Sequence, residues 1–427
     1  MKLNYKRTIL VGFAFFLISA FWQAYDTIVP LILTNKYNME QVWSGAIMSL
    51  DNIFAVFLLP IFGTLSDKTK TKWGRRTPYI LGGTVLASVS LAVLGIIPSL
   101  WAFIAVLLLA LLAMATFRSP AVALMPDVTV KPLRSKGNSV INLMGTAGGM
   151  LVLGLAILFK TDVKGKTDFL FYLIAVSAVM IIALIVFLLT VKEPLWAKEA
   201  DEEGAKLALE TKEEKPAAAE GTGKLSTGEL VSLILILASV ALWYIGYNAV
   251  TSKYSVYATE VLEVSYSTTL LVAQGAAIIS YIPVGILASR FGRKKTILAG
   301  VAMLTLAFGA ASFVKAGTNP FVMYILFALA GIGWATINVN SFPMVVELAK
   351  RGDVGKYTGF YYTASMSAQI VTPILSGFLI GVCDWWIFFP YAALFTGLSF
   401  VTMFFVKHGD SRPEKQGALE SLGGADD

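Results

Sequence analysis

Long apolar stretches alternate with short polar ones along almost the whole chain. About twelve stretches of roughly 18 to 25 residues fall near 9–33, 43–65, 78–98, 101–124, 137–159, 169–190, 229–251, 267–288, 296–315, 320–342, 357–382 and 386–406. Each is long enough to cross a hydrocarbon core of about 30 Å. Several contain Gly or Pro, which bundled membrane helices tolerate where neighbours satisfy the freed backbone groups. The pattern predicts an all-α membrane protein with twelve transmembrane helices.

The polar interruptions repeat. Gly63-Thr-Leu-Ser-Asp67, followed by Gly74-Arg75-Arg76, returns about 222 positions later as Gly285-Ile-Leu-Ala-Ser289, followed by Gly292-Arg293-Lys294-Lys295. A basic loop repeated between long apolar runs marks two copies of one membrane unit, hence two pseudo-symmetric six-helix bundles. The predicted division is 1–191 for the first bundle, 192–228 for a linker, 229–408 for the second bundle and 409–427 for a polar tail. The linker is rich in Glu, Lys and Ala, with room for a surface helix over Leu195–Glu214. The tail is expected to be disordered.

Composition agrees with a bilayer environment: 56% of residues are hydrophobic, 14% are charged, and the mean hydropathy is +0.72. Soluble chains carry about 25% charged residues. The net charge of +7 does not point to nucleic acid, because of where the cations lie. About 27 lysines and arginines crowd the amino terminus, alternate loops and the tail. The remaining loops hold about six: Lys36, Lys160, Lys164, Lys166, Lys253 and Lys315. The positive-inside rule then predicts a multi-pass plasma-membrane protein with both termini and the linker in the cytoplasm. Met1 to Arg7 leads into a full-length span, so no cleavable signal peptide is expected. Cys383 is the lone cysteine and His408, past the last span, the lone histidine. Disulfides, thiolate metal sites and an intramembrane imidazole relay are thereby excluded, leaving carboxylates to carry any proton coupling.

Aligning the halves exposes their differences. Tyr25-Asp26 falls on Tyr247-Asn248, Asp51-Asn52 on Ala273-Gln274, and Arg118-Ser119 on Asn340-Ser341; a slightly shorter offset pairs Asp127 with Glu347 and Lys136 with Lys356. Ionisable groups are concentrated in the first half and neutral hydrogen-bonding groups in the second. Charges within a bilayer are costly and usually line a transport pathway. Counted from the predicted helix ends at about 1.5 Å per residue, Asp26 and Asp51 share a level. Two carboxylates sharing a low-dielectric site readily share one proton, as a proton-coupling site should. Arg118 falls roughly 12 Å deeper by the same rise, which makes its pairing with the acids depend on conformation.

Around these groups the pattern places Gln23, Trp22, Tyr25, Asn142, Trp243, Tyr244, Tyr247, Asn248, Gln274, Trp334, Asn338, Asn340, Tyr361, Tyr362 and Gln369. Amides and phenols bind hydroxyl-rich ligands, and an aromatic face packs on the C–H face of a sugar ring. A neutral sugar suits this set better than an anion or a lipophilic drug. Asp67, at the end of the second span, can accept from Arg75, Arg76 or Arg134, or from a helix amino terminus. Together with Gly63, Asp127 and Glu347 these residues are expected to gate the cytoplasmic side, with Ser289 giving the second loop a weaker latch.

Gly63-Thr-Leu-Ser-Asp67 with Gly74-Arg75-Arg76 resembles the loop signature of the major facilitator superfamily. The longer basic spacing DKTKTKWGRRTP, with RSPAVALMPD (Arg118 to Asp127) and PLRSKGN (Pro132 to Asn138), is similar to the branch of sucrose transporters and glycoside–pentoside–hexuronide:cation symporters. The resemblance covers nearly the whole chain. It implies alternating access of two six-helix bundles around a central sugar site, usually with proton symport. The branch's acidic membrane residues correspond to Asp26 and Asp51, and its helix 4 arginine to Arg118. Sodium-coupled members pair acids one helical turn apart on helix 2; Ala55 follows Asp51 here, which favours protons over sodium. The expected function is proton-coupled symport of a small oligosaccharide or glycoside by a monomer. The alternatives are proton-driven efflux of amphipathic molecules and a non-transporting sugar sensor. No nucleophile–base pair or metal cluster stands out, so no enzymatic activity, cofactor or metal is expected.

Overall fold

Twelve helices in the computed structural model are long and apolar enough to cross a membrane. The structure describes residues 3–211, 226–348 and 354–409, and no strand occurs among them. The spans are Tyr5–Lys36, Gln41–Lys68, Thr77–Leu94, Leu100–Asp127, Lys136–Leu158 and Leu170–Thr190, then Thr227–Leu262, Tyr266–Phe291, Arg293–Ala311, Phe321–Val346, Lys356–Cys383 and Trp385–Phe404. They are numbered 1 to 12 below.

Several helices outrun their apolar cores. Spans 1 and 7 both finish in π-helical turns, Ile32–Lys36 and Tyr257–Leu262. Each turn is followed closely by a residue of positive φ, Asn38 (50°) and Glu263 (56°). The halves therefore share even an irregular helix ending. Lys253, expected in a loop, is instead buried within span 7. The helix continues there because its polar residues find partners: Ser252 bonds the Ala249 carbonyl at 3.3 Å, and Lys253 Nζ donates to the Gln41 carbonyl at 2.7 Å.

After span 6 a further helix, Glu193–Thr211, lies within the predicted linker. Arg7 pairs with its Glu199 and sits 5.3 Å over the Trp196 ring. Residues 212–225 of the linker and the tail beyond residue 409 lie outside the described residues. Span 7 opens with a capping box, Ser226 bonding the Glu229 amide while Glu229 accepts from the Ser226 amide at 2.7 Å.

Packing separates the described chain into two units. The first holds residues up to 24, 53–155 and 169–211. Spans 3 and 4 pack closely within it, as do spans 3 and 6. The second holds residues 25–52, 156–168 and 226 onward. Within that unit span 2 lies against span 11, with Gly45 and Gly377 at the closest approach. A Cβ on Gly45 would collide with the Pro373 carbonyl, and one on Gly377 with that of Gln41. Polar contacts gather at the helix ends away from the basic loops. Asn35 and the Gly165 amide donate to Glu260 at 2.7 and 3.0 Å, Ser267 donates to Asp162 at 2.9 Å, and Thr161 meets Tyr266 at 2.7 Å. Lys164 pairs with Glu263, whose hydrogen bond and charge hold the Lys164 pKa above its usual value.

Candidate transport site and basic loops

Asp26 stands ten positions before the end of span 1 (26 against 36), and Asp51 ten positions after the start of span 2 (51 against 41). Both carboxylates are partly exposed and lie within electrostatic reach of the buried Tyr25 hydroxyl. Asp51 Oδ1 accepts from the Asn52 backbone and side-chain amides at 2.6 and 2.7 Å. Both acids thus act on Tyr25 from within spans 1 and 2, in the second unit. In the first unit, the Arg118 guanidinium sits 5.6 Å over the Trp22 ring. Gln23 is half-buried on the same helix as Trp22. Asn142 of span 5 is 4% exposed, and neither atom of its amide has a hydrogen-bond partner among the described residues.

The second unit gathers the aromatic and amide candidates. Trp334 of span 10 stacks on Tyr247 at 3.6 Å, and Tyr244 meets it edge-on at 5.4 Å. Tyr244, Tyr247 and Asn248 follow one face of span 7 at spacings of three and four residues. All three are half-buried, as are Gln274, Trp334, Asn338, Tyr362 and Gln369. Three candidates are instead taken up by packing. Asn340 is buried and donates to the Thr336 carbonyl at 2.9 Å; Tyr361 is buried with its hydroxyl 2.9 Å from Ser341; Trp243 is wholly enclosed. Polarity alone did not distinguish these from the half-exposed set.

The first basic loop is an ion network within the first unit. Gly74, at φ +108°, turns the chain so that Arg75 and Arg76 point back at spans 2 and 4. Arg76 is 4% exposed and bonds Asp127 at 2.8 Å through Nε; its other nitrogens hold Asp67 and Ser66 and reach the Gly63 carbonyl at 3.5 Å. Arg75 adds a second contact to Asp127 at 2.6 Å. Burial opposes the charge of Arg76, but the hydrogen bonds and charges of Asp127 and then Asp67 outweigh it, raising its pKa. Arg134 lies apart from Asp67 and donates to the Thr129 and Pro126 carbonyls at 3.1 and 2.8 Å.

The sequence reading missed Glu193. This buried acid accepts from the amides of Arg75, Arg76 and Thr77 at 2.7, 2.9 and 2.8 Å, and from the Thr77 hydroxyl at 2.7 Å. It caps the amino terminus of span 3 from 116 positions away in the chain. Only its place just before Pro194, at the start of the linker, hinted at a fixed position. In the second basic loop Arg293 pairs with Glu347, and Lys294 donates to the Phe404 and Val406 carbonyls at 2.8 and 2.6 Å. Ser289 turns back to the Ile286 carbonyl of its own helix.

The sequence model of the family described as MFS/sugar transport protein matches residues 10–383. The chain belongs to that family of transporters. A sucrose transport protein of Oryza sativa subsp. japonica is 29% identical over 211 residues, covering 41% of this chain and 37% of that protein. A Synechocystis protein named an uncharacterized symporter is 27% identical over 147 residues, 31% of this chain and 27% of its own. The chain thus spans between about a quarter and two-fifths of these curated relatives. Among solved structures, the xylose transporter XylE from E. coli superposes with a TM-score of 0.68 at 13% identity, covering 98% of this chain and 99% of that one. The peptide transporter POT, solved in complex with sulfate, reaches 0.69 at 14% identity, with 94% and 93% covered. At such identities the likeness establishes the fold: twelve spans in two six-helix bundles, the major facilitator arrangement. As a transporter of this family the chain is not an enzyme, and among the described residues no cluster of metal-ligating side chains occurs.

Proposed function

We propose that the chain is a secondary active transporter that takes up a neutral sugar, a small oligosaccharide or glycoside, together with a proton. The observation that carries this reading is that Asp26 and Asp51 both lie within electrostatic reach of Tyr25, at positions whose counterparts in the second half are neutral. Two carboxylates in one low-dielectric site can hold a single proton between them. The sugar then binds against the half-buried set of the second half, Tyr244, Tyr247, Asn248, Gln274, Trp334, Asn338 and Gln369. The stacked Tyr247–Trp334 pair supplies an aromatic surface and the amides supply bidentate hydrogen bonds. The sucrose transport relative supports the substrate class, and the symporter relative supports coupling. Residues 1–191 and 229–408 move as the two halves about the linker 192–228. The basic loops, both termini and the tail face the cytoplasm of the plasma membrane, and a monomer suffices for the cycle. Asp67, Arg76 and Asp127, with Arg75, Gly63, Arg134 and Glu347, gate that side.

The test is uptake by the purified protein in proteoliposomes across a panel of sugars, under an imposed pH gradient and then a sodium gradient. The expected result is accumulation of one sugar class driven by protons, with proton movement when that sugar is added. Accumulation that follows sodium and moves no protons would exclude proton coupling, and silence across the panel would exclude the sugar.

A further inference from the structure

Spans 8 and 9 each pack closely along span 10 but touch one another little. Between them runs a groove of about 710 Å³, with Ile279 and Leu287 from span 8, Ala299 and Met303 from span 9, and Ile332 and Thr336 from span 10. It does not belong to the sugar site. At about 100° per residue, the span 8 residues that line it fall roughly 80–180° around the helix from Gln274, and Ala276, Ile279, Pro283 and Leu287 at least about 140°. The groove therefore lies on the face of span 8 turned away from the amide. Ile279 and Leu287 are exposed, so it opens at the surface of the membrane-spanning region.

Its chemistry is unsuited to a polar solute. A solute site needs a few convergent polar groups in an otherwise apolar pocket. The three hydroxyls here are committed to their own helices: Ser280 to the Ala277 carbonyl at 2.7 Å, Thr296 to Gly292 at 2.8 Å, and Thr336 to Ile332 at 2.6 Å. What remains is an apolar trough, closed at its loop end by Phe291 and Lys295. From Ala276 to Phe291 it extends about 22 Å along span 8, more than one leaflet of a hydrocarbon core about 30 Å thick. The cations at that end are unequally engaged. Arg293 is held by Glu347, and Lys294 by two carbonyls. Lys295 is exposed and makes no hydrogen bond or ion pair among the described residues, while Arg290 lies 5.4 Å over the Phe291 ring.

We propose that this groove binds one acyl chain of an anionic phospholipid from the leaflet beside the basic loops, with the lipid phosphate paired to Lys295. The apolar trough takes the chain, and the unengaged ammonium at the interface selects the charge of the headgroup. This binding needs only a membrane-spanning chain and stands whether or not the substrate is a sugar.

The experiment is native mass spectrometry of the full-length protein with phosphatidylglycerol or phosphatidylcholine. The expected preference for phosphatidylglycerol is about fivefold, the share of one lysine near a charged surface. Lys295→Gln should abolish the preference and Lys295→Arg should keep it. Ala299→Phe, or Ile279→Trp at the exposed rim, should reduce bound lipid of both kinds. Inorganic phosphate at millimolar concentration should neither bind nor displace the lipid. An undiminished preference in Lys295→Gln, undiminished binding in both groove-filling variants, or displacement by inorganic phosphate would each overturn the proposal.

Discussion

The two basic loops share a backbone and differ in chemistry. Gly74 and Gly292 both hold positive φ, +108° and +92°, Gly74 just before the N-cap Arg76 of span 3 and Gly292 as the N-cap of span 9. Each loop is tied to the chain at or just beyond the end of the sixth span of its half, but with opposite polarity. In the first, Glu193 accepts from three backbone amides and a hydroxyl at the start of span 3. In the second, Lys294 at the start of span 9 donates to carbonyls at the end of span 12. Arg76 holds the carboxylates of Asp67 and Asp127; in the second loop Arg293 pairs with Glu347, and Ser289 donates its hydroxyl to its own helix. The two loops share a glycine of positive φ and differ in the acids around it. The same bias separates Asp26 and Asp51 from Asn248 and Ala273.

Four substitutions probe that difference, all read by thermal unfolding of the solubilised protein. Arg76→Ala should have the largest effect, about 3 kcal/mol, because Asp127 at 15% exposure loses the buried one of its two arginines. Asp67, at 58% exposure, adds less. Arg293→Ala should cost clearly less, and equal losses would break the comparison. Glu193→Ala should cost about 2 kcal/mol, since buried donors at the start of span 3 lose their acceptor. Lys294→Ala, which frees only carbonyls near a helix end, should cost about half of that.

Gly74→Ala and Gly292→Ala should each lose about 1 kcal/mol to left-handed backbone strain. Gly74→Ala should lose more, because its new Cβ collides with the Glu193 carboxyl. Combining it with Glu193→Ala should remove that excess, a coupling that a double-mutant cycle measures. Ser289→Asp should have the smallest effect, within about 0.5 kcal/mol, as an exposed acid added without a built partner. A gain comparable with the loss in Arg76→Ala would mean that the second loop lacks only its acid.

The spans and the duplication were legible because a bilayer demands long apolar runs and because the loop glycines and arginines recur. Helix ends were less legible. Thr34 to Lys36 and Thr259 to Glu260 read as loop by polarity, yet remain in π-helical turns because Asn35 and Glu260 satisfy one another. Lys253 was misread for the same reason: a carbonyl distant in sequence supplies its partner. Glu193 was invisible because a cap supplied across 116 positions leaves no local spacing to recognise. Of the candidate site, the acids and the aromatic–amide faces followed from comparing halves. Which amides are half-exposed and which, like Asn340, are spent inside the packing depends on tertiary contacts that composition does not record.

The central claim is that the acids of the first half couple a proton to sugar movement. Its most direct test compares Asp26→Asn and Asp51→Asn with the parent in proteoliposomes, measuring pH-driven accumulation beside sugar exchange at equal concentrations. Loss of accumulation with exchange retained is the predicted result. Undiminished proton-driven accumulation in both variants would contradict it.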